Sequence, residues 1–149
     1  MDVEALRKRL LPMTQLFIGD LAETIPQFLA SAPAKIGFIA FDLDYYSSTV
    51  QAFTIFNTDS LLPRVYCYFD DIIWPETACY NEYVGELCAI REFNSAHQDQ
   101  KLCPIHLLRH TQVHPAAWND QMYVLHRFSD PLYSVNITPQ DVRHTQHPL

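Results

Sequence analysis

Two pairs of acidic residues follow apolar runs in this chain of 149 residues. Asp42 and Asp44 come after the run 36–41, and Asp70 and Asp71 come after the run 64–69. Such runs are typical of buried strands in an α/β sheet, whose functional sites lie outside the carboxyl ends of the strands. Several carboxylates gathered there raise each other's pKa, so the arrangement is costly without a cation. The pattern therefore predicts a site for a hard divalent ion such as Mg²⁺, which prefers carboxylate and water oxygens.

The same acids have a simpler interpretation, as helix caps and loop carboxylates that face water. For a single strand-end acid that interpretation is the more common one. Two such pairs on successive strands favour a functional site instead. Both interpretations stay open at the level of the sequence.

Predicted helices and strands alternate along the rest of the chain. Helices are predicted at 2–11 with Asp2 as N-cap, at 24–30, from Ser48 onward and at 81–96, and strands at 15–18, 36–41, 64–69, 102–108 and 121–128. Thr24 with Gln27, and Ser48 with Gln51, have the spacing of a capping box, and Pro26 would then lie in the first helical turn. The alternation predicts one α/β domain over residues 1–128, with a mostly parallel sheet that ends in an antiparallel strand pair. Residues 129–149 predict an irregular C-terminal tail.

Composition argues against several classes of function. The formal charge is −7 and no basic run is present, so we expect no nucleic-acid partner. The chain has 3 glycines and no glycine-rich phosphate loop. No apolar run reaches the ~20 residues of a membrane helix. The 4 cysteines contain no CxxC pair, which together with the charged N-terminus predicts reduced thiols and a cytoplasmic protein.

Two other kinds of site are weaker alternatives. His106, His110 and His114 have the i, i+4 spacing that could bind zinc on a helix, but Pro104 and the β-like run after it favour a strand and then a loop. A phosphotransfer or hydrolytic site could use the same acids with Mg²⁺. It would need a nucleophile or a phosphate-binding loop, and the sequence shows neither.

Taken in order, the motifs resemble the class I S-adenosylmethionine-dependent methyltransferases. The most similar branch is that of the metal-dependent, small-molecule O-methyltransferases of the macrocin (TylF-like) type. The resemblance covers roughly residues 15–128 and corresponds to the C-terminal portion of that domain. It is carried by the segments LFIGD (16–20), FDLDYYSST (41–49) and FDD (69–71), together with Thr24.

The resemblance implies roles for individual residues. Asp42, Asp70 and Asp71 correspond to metal-binding acids, Asp44 to the acid proposed as general base, and Asp20 to an acid near the adenine of the cofactor. The implied reaction moves a methyl group from S-adenosylmethionine to the hydroxyl of a small-molecule acceptor. A divalent ion, expected to be Mg²⁺, lowers the pKa of that hydroxyl, and a carboxylate takes its proton.

The sequence departs from that family on the N-terminal side. The family binds its cofactor on a glycine-rich loop after the first strand and on an acid after the second, and this chain has neither. Its predicted strand 15–18 corresponds to the third strand of a sheet with the order 3-2-1-4-5-7-6. We therefore expect a three-layer Rossmann-like sheet without its first two strands, and a truncated domain that is inactive by itself.

An apolar edge or face left uncovered in such a domain predicts association into a homo-oligomer. This expectation supports an alternative function from a different class. The chain would then be a non-catalytic, methyltransferase-like module that associates with itself or binds a partner.

Overall fold

A computed structural model describes residues 2–73 and 81–135. These residues form an α/β arrangement around a 4-stranded mixed sheet. The helices are α1 (Val3–Arg9), α2 (Leu21–Ala30), α3 (Tyr46–Ala52) and α4 (Gly85–Ala96). The strands are β1 (Ile36–Phe41), β2 (Leu61–Phe69), β3 (Gln100–Pro104) and β4 (Met122–Arg127). Short 3-10 helices occupy Phe53–Phe56, Leu108–Thr111 and Ala117–Asp120.

The strands lie in the order β1-β2-β4-β3. β1 pairs with β2 in parallel, whereas β4 is antiparallel to both of its neighbours, β2 and β3. Three strands therefore run in one direction, and β4 runs the other way between two of them. This arrangement confirms the α/β class and the antiparallel strand pair at one edge of the sheet. The predicted mostly parallel sheet is instead mixed, because β4 lies between β2 and β3 and makes two of the three pairings antiparallel.

The hydrophobic core lies between one face of the sheet and the helices α3 and α4. In the centre of this inner face, Leu125 pairs with Val65 on one side and with Leu102 on the other. These three side chains are 0%, 0% and 1% exposed. Aromatic rings fill the space beneath the helices and contact one another edge-on or stacked; they belong to Phe41, Phe53, Phe56, Phe69, Phe93 and Tyr123.

The opposite face of the sheet carries an apolar row, which we call the outer row: Phe38, Tyr66, Val124 and Cys103. These residues are paired in register across all four strands, and Phe38 and Tyr66 are 56% and 53% exposed. The expectation of three layers is therefore wrong for the described residues, which form two. The reason is that α3 and α4 connect strands that advance in one direction across the sheet, and right-handed connections of this kind lie on the same face.

The predicted strand 15–18 is also wrong, because these residues are not part of the sheet. A strand requires hydrogen bonds to a neighbouring strand, and no described strand pairs with this segment. The ring of Phe17 instead contacts Phe28 of α2 edge-on, with 5.8 Å between the ring centroids. The segment therefore packs against the helix that follows it.

Two helices begin earlier than the capping patterns predicted. α2 starts at Leu21 because Asp20 is its N-cap, with Asp20 Oδ1 accepting from the Ala22 N–H at 2.8 Å. Pro26 therefore lies in the second turn. α3 starts at Tyr46 without a side-chain cap, so Ser48 is inside the helix. Asp2 is confirmed as the N-cap of α1, because its Oδ1 accepts a hydrogen bond from the Ala5 N–H at 3.0 Å.

The strand predicted at 102–108 ends at Pro104. Leu107 has a φ of 65°, in the left-handed region that an extended strand does not use. His106, His110 and His114 are exposed and follow the end of the strand, with only His110 in a 3-10 helix. Their i, i+4 spacing therefore does not place them on one helical face, and the zinc alternative loses its structural basis.

The chain after β4 folds back onto the sheet. Arg127 forms an ion pair with Asp130 at 3.1 Å, and both side chains are 14% exposed. The Tyr133 hydroxyl lies 2.7 Å from His126 Nδ1. The centre of the Tyr133 ring lies 4.2 Å from the Arg64 guanidinium carbon. Residues 136–149, which make up most of the predicted tail, lie outside the described residues, as do 74–80.

Two observations concern the predicted reduced thiols and the predicted absence of a membrane helix. Cys67 and Cys88 are free and buried, and Cys103 is free and exposed; Cys79 lies outside the described residues. Among the helices that the structure describes, none has the length and hydrophobicity needed to cross a membrane.

Candidate functional site

The two acidic motifs lie side by side, as the sequence predicted. Phe41 and Phe69, the last residues of β1 and β2, are paired in register. Their rings stack with 4.8 Å between centroids and 8° between planes. The N–H of Asp70 donates to the Phe41 carbonyl at 3.0 Å. Both strands therefore release their acids at the same edge of the sheet.

The acids that follow β1 face solvent. Asp42 and Asp44 are both exposed. Asp44 also lies within hydrogen-bonding reach of the Asp71 carboxyl group. Of the two acids after β1, Asp44 is therefore the one that links the motifs and remains accessible to a molecule from solution.

Asp70 is held in place by two polar neighbours. The Tyr68 hydroxyl donates to Asp70 Oδ1, and Gln121 Nε2 donates to the Asp70 carbonyl at 2.6 Å. The hydrogen bond to Asp70 and burial raise the pKa of Tyr68 to about 12. Tyr68 therefore remains a protonated donor at neutral pH, and Asp70 Oδ1 is already engaged.

Asp71 is the more constrained member of the second pair. It is half-buried, and its Oδ2 is buried without a hydrogen-bond partner. Burial raises the pKa of Asp71, and the charges of Asp44, Asp42 and Asp70 raise it further. A proton or a cation near this carboxyl group would relieve the unfavourable charge.

The structure adds an acid that the sequence analysis missed, Glu86 in the first turn of α4. Its side chain is 1% exposed. Its Oε2 accepts from the Asp71 N–H at 3.1 Å, whereas Oε1 is buried and has no partner. Burial raises the pKa of Glu86 to about 8, with further contributions from Asp71, Asp70 and Asp42. We call Asp42, Asp44, Asp70, Asp71 and Glu86 the acid cluster.

A periodic signal for Glu86 was present in the sequence. The buried face of α4 consists of Glu86, Cys88, Ala89, Ile90 and Phe93. The sequence predicted a helix at 81–96 from Tyr83, Leu87 and Ile90 at i, i+4 and i+7, but Tyr83 precedes α4 and is 75% exposed. Glu86 lies four residues before Ile90 and seven before Phe93, so the three share one face of the helix, which the spacing counted from Tyr83 did not reveal.

Asp20, the predicted cofactor-binding residue, has a structural task. Its Oδ1 caps α2 and also accepts from Gln51 Nε2 of α3 at 2.9 Å. The side chain is otherwise exposed. Asp20 therefore connects two helices, and its predicted contact with the cofactor stays a prediction.

The acid cluster fits a hard divalent cation in its chemistry, with one restriction. Among residues 2–73 and 81–135, no three His, Cys, Asp or Glu side chains are arranged so that they could hold a metal ion. The predicted set of Asp42, Asp70 and Asp71 is therefore not assembled around one point. Mg²⁺ is often held by one or two carboxylates and several waters. The unpartnered oxygens of Asp71 and Glu86 are suited to that smaller ligand set.

A groove of about 260 Å³ lies between α3 and α4, separate from the acid cluster. It is lined by Tyr46, Phe53, Glu92 and His97 among others, and by none of the five acids. The Tyr46 hydroxyl donates to Glu92 Oε2 across it. The groove therefore offers no direct access to the carboxylates.

No protein-family model matches the chain, and no curated protein or solved structure matches it either. A function for this chain therefore has to be inferred from its fold and its acid cluster.

Proposed function

We propose that the chain carries the acid-bearing part of an S-adenosylmethionine-dependent, Mg²⁺-dependent O-methyltransferase that acts on a small-molecule hydroxyl. The observation that supports this proposal most is the strand order β1-β2-β4-β3, with an antiparallel pair at the edge. It corresponds to the 4-5-7-6 portion of the sheet in the family that the sequence resembles. Acids follow β1 and β2 at the positions where that family has its own.

The proposed chemistry divides the acid cluster into two roles. Asp44 is exposed, so it can reach the hydroxyl of an incoming acceptor and take its proton. The more buried side of the acid cluster, around Asp71 and Glu86, would hold the ion. A bound Mg²⁺ would lower the pKa of the acceptor hydroxyl. The side chains supply the base and the orientation at one edge of the sheet.

The residues of this chain fit S-adenosylmethionine, the methyl donor, less well than they fit Mg²⁺. The glycines Gly19, Gly37 and Gly85 form no glycine-rich loop, and Asp20 Oδ1 is engaged in capping. We therefore derive no step through S-adenosylmethionine, and we expect this chain to bind it weakly. Isothermal titration calorimetry tests this expectation, and micromolar binding to the chain alone would contradict it.

Thermal denaturation with and without Mg²⁺ tests the cation dependence. We expect Mg²⁺ to raise the melting temperature of the native chain, since an ion that binds only the folded state stabilises it. Asp70→Asn should weaken that response. Asp99→Asn is the matched control, because Asp99 is exposed and precedes β3, at the opposite end of the sheet. A native chain that does not respond to Mg²⁺, or an equal response in every variant, would exclude the proposed site.

A second candidate function, self-association without catalysis, is favoured by the outer row. Phe38 and Tyr66 are large and more than half exposed, and β1 forms one edge of the described sheet. Its six residues, IGFIAF, contain no charge and no proline. Exposed edge strands of this composition tend to pair with other chains.

Sedimentation velocity over a range of protein concentrations tests the second candidate. We expect the native chain to associate as concentration rises, and the double variant Phe38→Ser, Tyr66→Ser to remain monomeric. Val113→Ser is the control, since Val113 is 89% exposed in a loop and is not on the sheet. A native chain that is monomeric at all concentrations would exclude self-association.

A further inference from the structure

We propose that Glu86 and Asp71 together form a binding site for a divalent cation, with Glu86 Oε1 and Asp71 Oδ2 as its two protein ligands. The inference rests on the proposed function and deepens it, because it names the acids that hold the ion. It also adds a residue that the sequence resemblance did not include.

The first argument is the state of the two oxygen atoms. Glu86 Oε1 and Asp71 Oδ2 are both buried, and neither has a hydrogen-bond partner. Buried polar atoms in folded proteins nearly always have a partner, so two unpartnered oxygens on residues that are hydrogen-bonded to each other need an explanation. A cation shared by the two carboxylates would satisfy both atoms at once.

The second argument is that the two residues are held together by the fold. The Asp71 N–H donates to Glu86 Oε2 at 3.1 Å, so one oxygen of Glu86 positions the main chain of Asp71. The other oxygen, Oε1, remains available. Glu86 therefore has a positioning contact and a free ligand atom on the same carboxyl group.

The third argument is the backbone that places Glu86. Gly85, the residue before it, has a φ of 54°, in the left-handed region that residues with a side chain rarely adopt. A Cβ built on Gly85 would lie 3.9 Å from the Asp44 carbonyl oxygen, which is an ordinary contact. A glycine is therefore favoured here because of the backbone conformation, since a side chain at this position would not clash with a neighbour. It allows α4 to begin beside the acid cluster.

The remaining acids are less suited to be direct ligands. Asp70 Oδ1 already accepts the Tyr68 hydroxyl, and Asp42 and Asp44 are exposed. A site with two protein carboxylates agrees with the finding that the described residues contain no three-residue metal group. Mg²⁺ commonly completes such a site with water molecules.

Electron paramagnetic resonance of Mn²⁺, used as a probe for Mg²⁺, measures binding without any need for activity. We expect the native chain to bind Mn²⁺ and Glu86→Gln to bind it at least about tenfold more weakly, the range seen when supporting groups of metal sites are lost. The same variant should lose the Mg²⁺-induced rise in melting temperature.

Glu23→Gln is the matched control. Glu23 and Glu86 both lie in the first turn of a helix, Glu23 in α2 and Glu86 in α4. Glu23 is exposed, whereas Glu86 is buried. Both substitutions replace a glutamate in the first turn of a helix by its amide. Only Glu86→Gln should weaken Mn²⁺ binding. If Glu86→Gln does not fold, Asp71→Asn tests the same pair of ligands.

The results separate this inference from the proposed function. Native Mn²⁺ affinity in both Glu86→Gln and Asp71→Asn overturns the two-ligand site, and so does a native chain that binds no Mn²⁺. If Asp70→Asn alone abolishes binding, the inference fails while the cation-dependent function stands. If Mn²⁺ binds through Glu86 but catechol, as a hydroxyl probe, does not perturb its spectrum, the inference stands and the proposed function fails.

Discussion

β1 and β2 end in the same way in sequence and differently in space. Each finishes with Phe-Asp, and the two phenylalanines are 3% and 0% exposed. After β1, Asp42 and Asp44 emerge into solvent; after β2, Asp71 meets the buried carboxyl group of Glu86. The difference comes from α4, whose first turn covers the end of β2. A strand-end acid therefore gains an unusual environment only where another element buries it.

The largest expected effect on stability comes from the buried phenylalanine that ends each strand. Phe69→Ala should reduce the free energy of unfolding by about 3–5 kcal/mol, because it leaves a cavity among the rings of Phe41, Phe53 and Tyr123. Phe38→Ala is the control for the same residue type on the exposed face, and we expect it to cost less than about 1 kcal/mol. Urea denaturation measures both. Equal costs would show that the two faces of the sheet do not differ as described.

The next prediction concerns Glu86, the buried acid beside the end of β2, and the dependence of stability on pH. The pKa of Glu86 is raised from its ordinary value of 4.5 to about 8, so the folded state binds this proton more tightly than the unfolded state. Its contribution to stability is complete below pH 4.5 and is lost as pH rises through about 8. The carboxyl groups of Asp71, Asp70 and Asp42 act on it in the same direction.

Melting temperatures measured between those two pH values check this expectation. The native chain should lose stability as pH rises across the interval, and Glu86→Gln should show a flatter profile because it cannot titrate. The exposed Glu23→Gln control should keep the native slope. Identical profiles for the native chain and Glu86→Gln would mean that the pKa of Glu86 is not raised by its burial.

The smallest effect compares one acid from each strand end. Asp71→Asn should stabilise the metal-free chain at neutral pH by about 0.5–1 kcal/mol, since it removes like-charge repulsion at a half-buried position. Asp42→Asn should change stability by less than about 0.5 kcal/mol, because Asp42 is exposed. Chemical denaturation without metal measures the pair. A larger gain for Asp42→Asn would reverse the proposed difference between the two strand ends.

Local signals predicted much of the fold and four of the five residues of the acid cluster. The apolar run 36–41 predicted β1 at its observed bounds, and the antiparallel pair at the edge was confirmed. The segment 15–18 shows the limit of such signals. It has the composition of a strand, but a strand also needs a partner, and pairing is not visible in composition.

Apart from the segment 15–18, the sequence by itself determined the order of helices and strands, and it determined the presence of Asp42, Asp44, Asp70 and Asp71 after two apolar runs. These features depend on local propensity and on the short-range spacing of residues. Only the tertiary structure decided that the helices α3 and α4 cover one face of the sheet and leave the outer row exposed. It also decided that Glu86, a residue 15 positions beyond Asp71, becomes the most buried acid of the cluster. Burial and pairing depend on contacts between distant segments, so they appear only when the chain has folded.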